Sequence, residues 1–77
     1  MAVMAHTVYA LIIRGEVVNL TVGELEEVER IAAHIYGQSV LVVDVSRIPV
    51  WVGDSYDGSA FYRHGNKVEP LPDEEEV

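Results

Sequence analysis

No cysteine occurs in the 77 residues. A disulfide scaffold, a thiol nucleophile and a thiolate metal site are thereby excluded. Basic residues are few. Arg14, Arg30, Arg47, Arg63 and Lys67 stand scattered against thirteen acids, giving a formal net charge of −8. Such a field repels a phosphate backbone, so nucleic acid is not an expected partner. Four of the acids fall at Glu24, Glu26, Glu27 and Glu29, and five more are Glu69 and Asp73 to Glu76. The simplest account of them is a solvated helix face and a soluble end. Long hydrophobic runs are also missing. The longest, VYALII and VLVV, have the length of strands and cannot span a bilayer, so no membrane association is expected. The opening MAVMAHTVYALIIRG has neither a basic n-region nor a small-residue cleavage site. A protein made and kept in the cytosol, unless an assembly carries it out, is the expectation.

What is present is apolar and periodic. Hydrophobic residues make up 49% of the chain, too many for intrinsic disorder throughout, and the length suits one small domain. Residues 21–36, TVGELEEVERIAAHIY, form the only convincing helix. Leu25, Val28, Ile31, Ala32 and Ile35 share one side of a 3.6-residue wheel, with Glu24, Glu26, Glu27 and Arg30 mostly opposite. Thr21 and Glu24 have capping-box spacing, Glu26 and Arg30 stand at i,i+4, and Gly37 supplies a left-handed stop.

Before the helix, residues 7–13 and 16–21 read as two strands joined by a tight turn at Arg14-Gly15. The first has two apolar faces and is expected to be central or covered on both sides. In the second, alternation places Val18, Leu20 and Val22 on one face and Val17, Asn19 and Thr21 on the other. A third strand is expected at residues 39–45. Beyond it come turn signals and short strands near residues 50–52, 60–63 and 67–69, with Pro49 at a strand entrance or edge. The fold class is therefore α+β: a small, mainly antiparallel sheet, ββαβ followed by one or two short hairpins, with a single amphipathic helix packed on it. Residues 1–69 form the domain, and 70–77 have the composition of an acidic, disordered end.

Chemistry is sparse. His6, His34 and His64 share no ligand spacing, so no metal site is expected. Asp54-Ser55-Tyr56-Asp57-Gly58-Ser59 lacks the alternating carboxylates and closing glutamate of a calcium loop. Gly53, Asp54, Asp57 and Gly58 are better read as turn-formers. Ser55, His64 and Asp44 could be written as a triad, but no nucleophile elbow or oxyanion loop accompanies them. Asn19-Leu20-Thr21 matches a glycosylation sequon by chance, inside an expected strand. Asn19 there is expected to bond a neighbouring backbone group. No enzyme, cofactor or small-molecule substrate is expected.

The aromatics are the surplus. Trp51, Tyr56, Phe61 and Tyr62, four of the six in the chain, lie within twelve residues. Trp51 and Phe61 are expected to face inward, yet so small a domain cannot easily bury all four. Together with Arg63 they have the composition of a protein–protein hot spot. The surface set for an interface, with self or with another protein, is thus Trp51, Tyr56, Phe61, Tyr62 and Arg63.

The stretch YALIIRGEVVNLTVG resembles the opening of small bacteriophage and prophage proteins of the tail-fibre and tail-assembly region, which pair a strand and turn with a VVN second strand. PVWVGDSYDGSAFYR is similar to their terminal hairpin, and VEPLPDEEE to the Pro- and Glu-rich ends that follow. The matching positions are Val18, Asn19, Gly53, Asp54, Tyr56, Asp57, Gly58 and Phe61; the long helix ending in VERIAAHIYG departs from the pattern. The resemblance implies a non-enzymatic virion component or assembly accessory, made in the host cytoplasm. It would be associated with tail, baseplate or fibre, or decorate the capsid. Its partners would be other virion proteins or further copies of itself, as a homo-oligomer. An acidic regulatory module that blocks a host or phage protein surface is the alternative.

Overall fold

The computed structural model describes residues 7–71; residues 1–6 and most of the expected acidic end lie outside them. One helix packs on a six-stranded sheet made of β1 (Thr7–Ile13), β2 (Glu16–Gly23), β3 (Leu41–Asp44), β4 (Ser55–Tyr56), β5 (Phe61–Arg63) and β6 (Asn66–Lys67), in the order β3-β1-β2-β4-β5-β6, with every pairing antiparallel. β1 lies between β3 and β2, the interior place its two apolar faces require. Both faces are covered. Ala10 and Ile12 join Val17, Val45, Val50, Phe61 and Val68 on one side. Tyr9 and Leu11 meet Val28 and Ala32 of the helix on the other.

Turn chemistry sets two of the hairpins. Arg14 and Gly15 have φ of 53° and 78°, and His64 and Gly65 have φ of 53° and 82°. Positive φ at both central residues is the signature of the I′ turn, whose twist matches that of the flanking strands. The second of these joins β5 (Phe61–Arg63) to β6 (Asn66–Lys67). Gly15 has a further constraint, because a Cβ there would lie 3.3 Å from the carbonyl oxygen of Tyr56.

Strict alternation in β2 fails at one residue. Leu11 faces Asn19 and Ile12 faces Val17, so Val18 has no partner across the ladder. This is a β-bulge, and it shifts every subsequent side chain by one position. Val17 and Leu20, expected on opposite faces, both pack with Ala10 and Ile12. Val18 turns instead toward the helix. Asn19 spans the irregularity. Its Oδ1 accepts the N–H of Leu20 at 2.8 Å, and its Nδ2 donates to the Tyr36 hydroxyl at 3.3 Å. The expected backbone bond is thus made.

Helix α1 spans Leu25–Tyr36, a turn shorter than its sequence pattern. The expected capping box does not form, because Thr21 is taken into the ladder opposite Tyr9. Glu24 is the N-cap and makes no side-chain capping bond. Glu27, rather than Glu26, approaches Arg30, at 3.7 Å and i,i+3; both side chains are exposed, so the pair contributes little. Gly37 ends the helix as expected, at φ 92° with its N–H donating to the Ala33 carbonyl.

After β3 the chain crosses the face remote from the helix, burying Val45 and Val50. Residues 50–52 do not form the expected strand. Trp51 and Asp54 close a turn on themselves, with the Asp54 N–H donating to the Trp51 carbonyl at 3.1 Å. The chain then enters β4 (Ser55–Tyr56), later than expected. Leu71, assigned by composition to the free end, donates its N–H to the carbonyl of Arg47 at 2.6 Å.

Candidate interaction surface

Asp54 organises the loop that follows β3. Polar residues are rarely buried without partners, and Asp54 is 3% exposed. Its carboxylate has three. Arg63 Nε donates to Oδ1 and Nη2 to Oδ2, each at 2.9 Å, and the Trp51 N–H donates to Oδ2 at 2.8 Å. The same Nη2 donates to the Pro49 carbonyl at 2.7 Å. Because the charged form is bonded this heavily by Arg63, and then by Trp51, the carboxyl is held below its ordinary value of 3.8 despite burial. Asp54 is also tied to the sheet, since its carbonyl accepts the Val17 N–H while the Gly53 N–H donates to the Val17 carbonyl.

The side chains outside this anchor point into solvent. Trp51 is 63% exposed and Val52 58% exposed. This corrects the expectation that Trp51 faces inward: its backbone is turned by the Asp54 carboxylate, and the core position is filled by Val50. Gly53, at φ 102°, occupies the third position of the turn, where a positive φ is needed for a type II geometry. A rigid backbone therefore presents an apolar tip.

Phe61 lies at the other extreme. At 2% exposure it is a core residue, so its ring serves the fold rather than a surface. It packs against Tyr56 with ring centroids 4.5 Å apart. The Tyr56 hydroxyl donates to the Gly58 carbonyl at 3.1 Å. Asp57 holds the β4–β5 connection by accepting the N–H groups of Ser59 and Ala60, both at 2.9 Å. These bonds lower its carboxyl below 3.8, and the nearby Asp57 charge raises the Tyr62 hydroxyl above 10.0. Tyr62 is half-buried. Of the five residues expected at an interface, Trp51 presents the large free apolar surface, and Arg63 supports it from behind.

A second apolar surface lies on the helix. Val28 and Ala32 are buried, while Leu25, Ile31 and Ile35 are 46%, 52% and 62% exposed. Ile31 and Ile35 flank a groove of about 210 Å³ between the helix and the later half of β2, with Thr21, Val28 and Ala32 among its lining residues. Ordinary small-molecule pockets run to about 300–1,000 Å³, so this one suits a side chain or two rather than a metabolite. Leu25, Val28, Ile31, Ala32 and Ile35 form a stripe wider than one sheet contact can cover, and that width was the available signal in the sequence.

The described residues hold no group of three or more His, Asp or Glu side chains able to bind a metal ion. No hydrogen bond among them links Asp44, Ser55 and His64; the Asp44 carboxylate accepts the Ser46 N–H instead. No helix of the described residues is long and apolar enough to cross a membrane. Comparison with protein-family models, with curated proteins and with solved structures returned no match.

Proposed function

We propose that this chain is a non-enzymatic interaction module that works through protein–protein contacts, as a structural or accessory component of a bacteriophage virion. The observation that carries the interaction reading is the Trp51–Val52 tip, an exposed apolar pair fixed by the ion pair of buried Asp54 with half-exposed Arg63. Exposed tryptophan is costly in water and is the residue type most enriched at binding hot spots. A loop already held in one conformation loses little entropy when it docks. The virion setting rests on the resemblance of the VVN strand and the GDSYDGSAF segment to phage tail-region proteins. Tail, baseplate, fibre or capsid surface would each suit a small part held by one repeated contact.

Mass spectrometry of purified particles tests the setting: the chain should be present at stoichiometric level, and its complete absence would defeat the virion reading. Co-purification tests the contact, with Trp51→Ala expected to lose partners that the wild type retains. One observation favours the alternative of an acidic module that blocks a basic protein surface. Glu24, Glu26, Glu27 and Glu29 are all exposed, along one end of the helix. Under that reading, a triple Glu→Gln change at 26, 27 and 29 abolishes binding while Trp51→Ala does not.

A further inference from the structure

β2 has eight residues, yet β4 pairs with it only where Glu16 faces Ser55. Past the bonds of Gly53 and Asp54 to Val17, no strand of the described residues lies along its outer side. The backbone there is left open. Val8 gives its carbonyl to the Val45 N–H on the β3 side. Its pair with Val22 is therefore the non-hydrogen-bonded kind, and the Val22 N–H and carbonyl point away from β1. Ala10 opposite Leu20 repeats the pattern two residues earlier. Asn19 Oδ1 takes the Leu20 N–H, which keeps the open stretch short. The Leu20 carbonyl and both groups of Val22 face outward in a row.

Apolar surface flanks this edge on both faces of the sheet. Leu20 packs with Ala10 on the face remote from the helix, and Val22, next along that face, is 56% exposed. On the helix face, Thr21 and Gly23 border the groove beside exposed Ile31 and Ile35. The usual guards of a strand edge are missing. β6, at the end of the sheet, is two residues long and includes Lys67, whereas Leu20 to Gly23 hold neither a charge nor a proline.

We infer that this edge takes an extended segment of a partner protein, apolar in its middle and ending in a lysine or arginine, added as a further strand beside β2. A helix or a loop tip would cover one face and leave the outward N–H of Val22 without a partner. A strand supplies the carbonyl and N–H that Val22 lacks, and its alternate side chains fall on both faces. One set lies over Val22, and the other enters the groove of about 210 Å³. Charge selects the basic end. Glu24 follows Gly23 directly. Glu24 and Glu26 are exposed and, unlike Glu27, have no ion-pair partner among the described residues. A cation at that end of the incoming strand meets them. The site is separate from the Trp51 tip, so the inference goes beyond the proposed function without resting on it.

The test uses the full chain and a fluorescein-labelled peptide, Lys-Val-Ile-Val-Ile-Lys, read by fluorescence anisotropy and by hydrogen exchange. The peptide should bind saturably and slow exchange at the Val22 amide. A version N-methylated at its Val and Ile residues keeps the side chains but donates nothing to the Leu20 and Val22 carbonyls. It should bind about tenfold more weakly, the factor that two ordinary hydrogen bonds amount to. Val22→Pro removes the outward N–H at a place where edge prolines are tolerated and should weaken binding severalfold. Ile35→Asp should abolish binding, and Trp51→Ala should leave it as in the wild type. If Val22→Pro fails to fold, the N-methylated peptide decides, because it leaves the chain untouched. No binding at millimolar peptide overturns the inference, as does equal binding of the N-methylated version or an unprotected Val22 amide. A chain that sediments as a dimer the peptide does not dissociate overturns it in favour of a second copy. If the peptide fails while Trp51→Ala still loses a co-purified partner, this inference falls and the proposed function stands.

Discussion

Arg63 and Asp54 meet as fork on fork, with Nε to Oδ1 and Nη2 to Oδ2 both at 2.9 Å. The pair joins β5 to a loop nine residues earlier and fixes the direction in which Trp51 leaves the sheet. Removing one member of a fully buried pair costs about 3–5 kcal/mol. Arg63 is 36% exposed on its side chain, so the figure is smaller here. Arg63→Ala should lower stability, because it leaves the buried Asp54 carboxylate without its main partner, read as a fall in the midpoint of urea unfolding. Arg63→Lys should recover little of it, since an ammonium cannot make the planar double contact.

The same pair predicts a response to acid. The Asp54 carboxyl is held below 3.8 in the folded chain, so its contribution is fully present above that value. It is lost as pH falls from there through the folded pKa. Asp57 is lowered in the same direction by the N–H groups of Ser59 and Ala60 and adds to the loss. Unfolding midpoints measured from pH 6 down to 2 should fall below about pH 4. An Asp54→Asn variant, weaker at neutral pH, should show a shallower fall. Equal slopes for the two proteins would remove Asp54 from the account.

Trp51 and Phe61 should behave oppositely although both are large aromatics. Phe61 is buried and touches the cluster around Ile12 and Val17, so Phe61→Ala should cost about 3–5 kcal/mol. A domain this small has roughly that much stability in total. Trp51→Ala removes an exposed ring and should change stability by less than about 0.5 kcal/mol, while abolishing partner binding. Thermal melts of the variants, run with co-purification, separate the two effects.

Asn19 should matter for solubility more than for stability. Replacing it with Val frees the Leu20 N–H and loses the bond to Tyr36, a change of about 1 kcal/mol. The unblocked edge is then an open template for strand pairing. Light scattering should show higher aggregates in Asn19→Val at concentrations where the wild type is uniform.

Local rules were enough to place much of this fold. Positive φ needs Gly beside a tolerant residue, so Arg14-Gly15 and His64-Gly65 announce their turns whatever surrounds them. The two apolar faces of residues 7–13 require a central strand, and Gly37 stops the helix by its own conformational freedom. Asn19, a polar residue within a strand, had to find a backbone partner close by. Tertiary structure decided the rest, because the deciding groups are distant in sequence. The bulge at Val18 depends on how β1 and β2 register across their whole length, and it alone moves Val17 and Leu20 to a common face. Thr21 would cap a helix if left alone, but the ladder to Tyr9 claims its backbone. Trp51 has the composition of a core residue, and it is exposed because Asp54, held by an arginine nine residues later, turns the chain there. Alternation, capping and hydrophobicity describe what each residue prefers; which preference yields depends on the partners that folding brings to it.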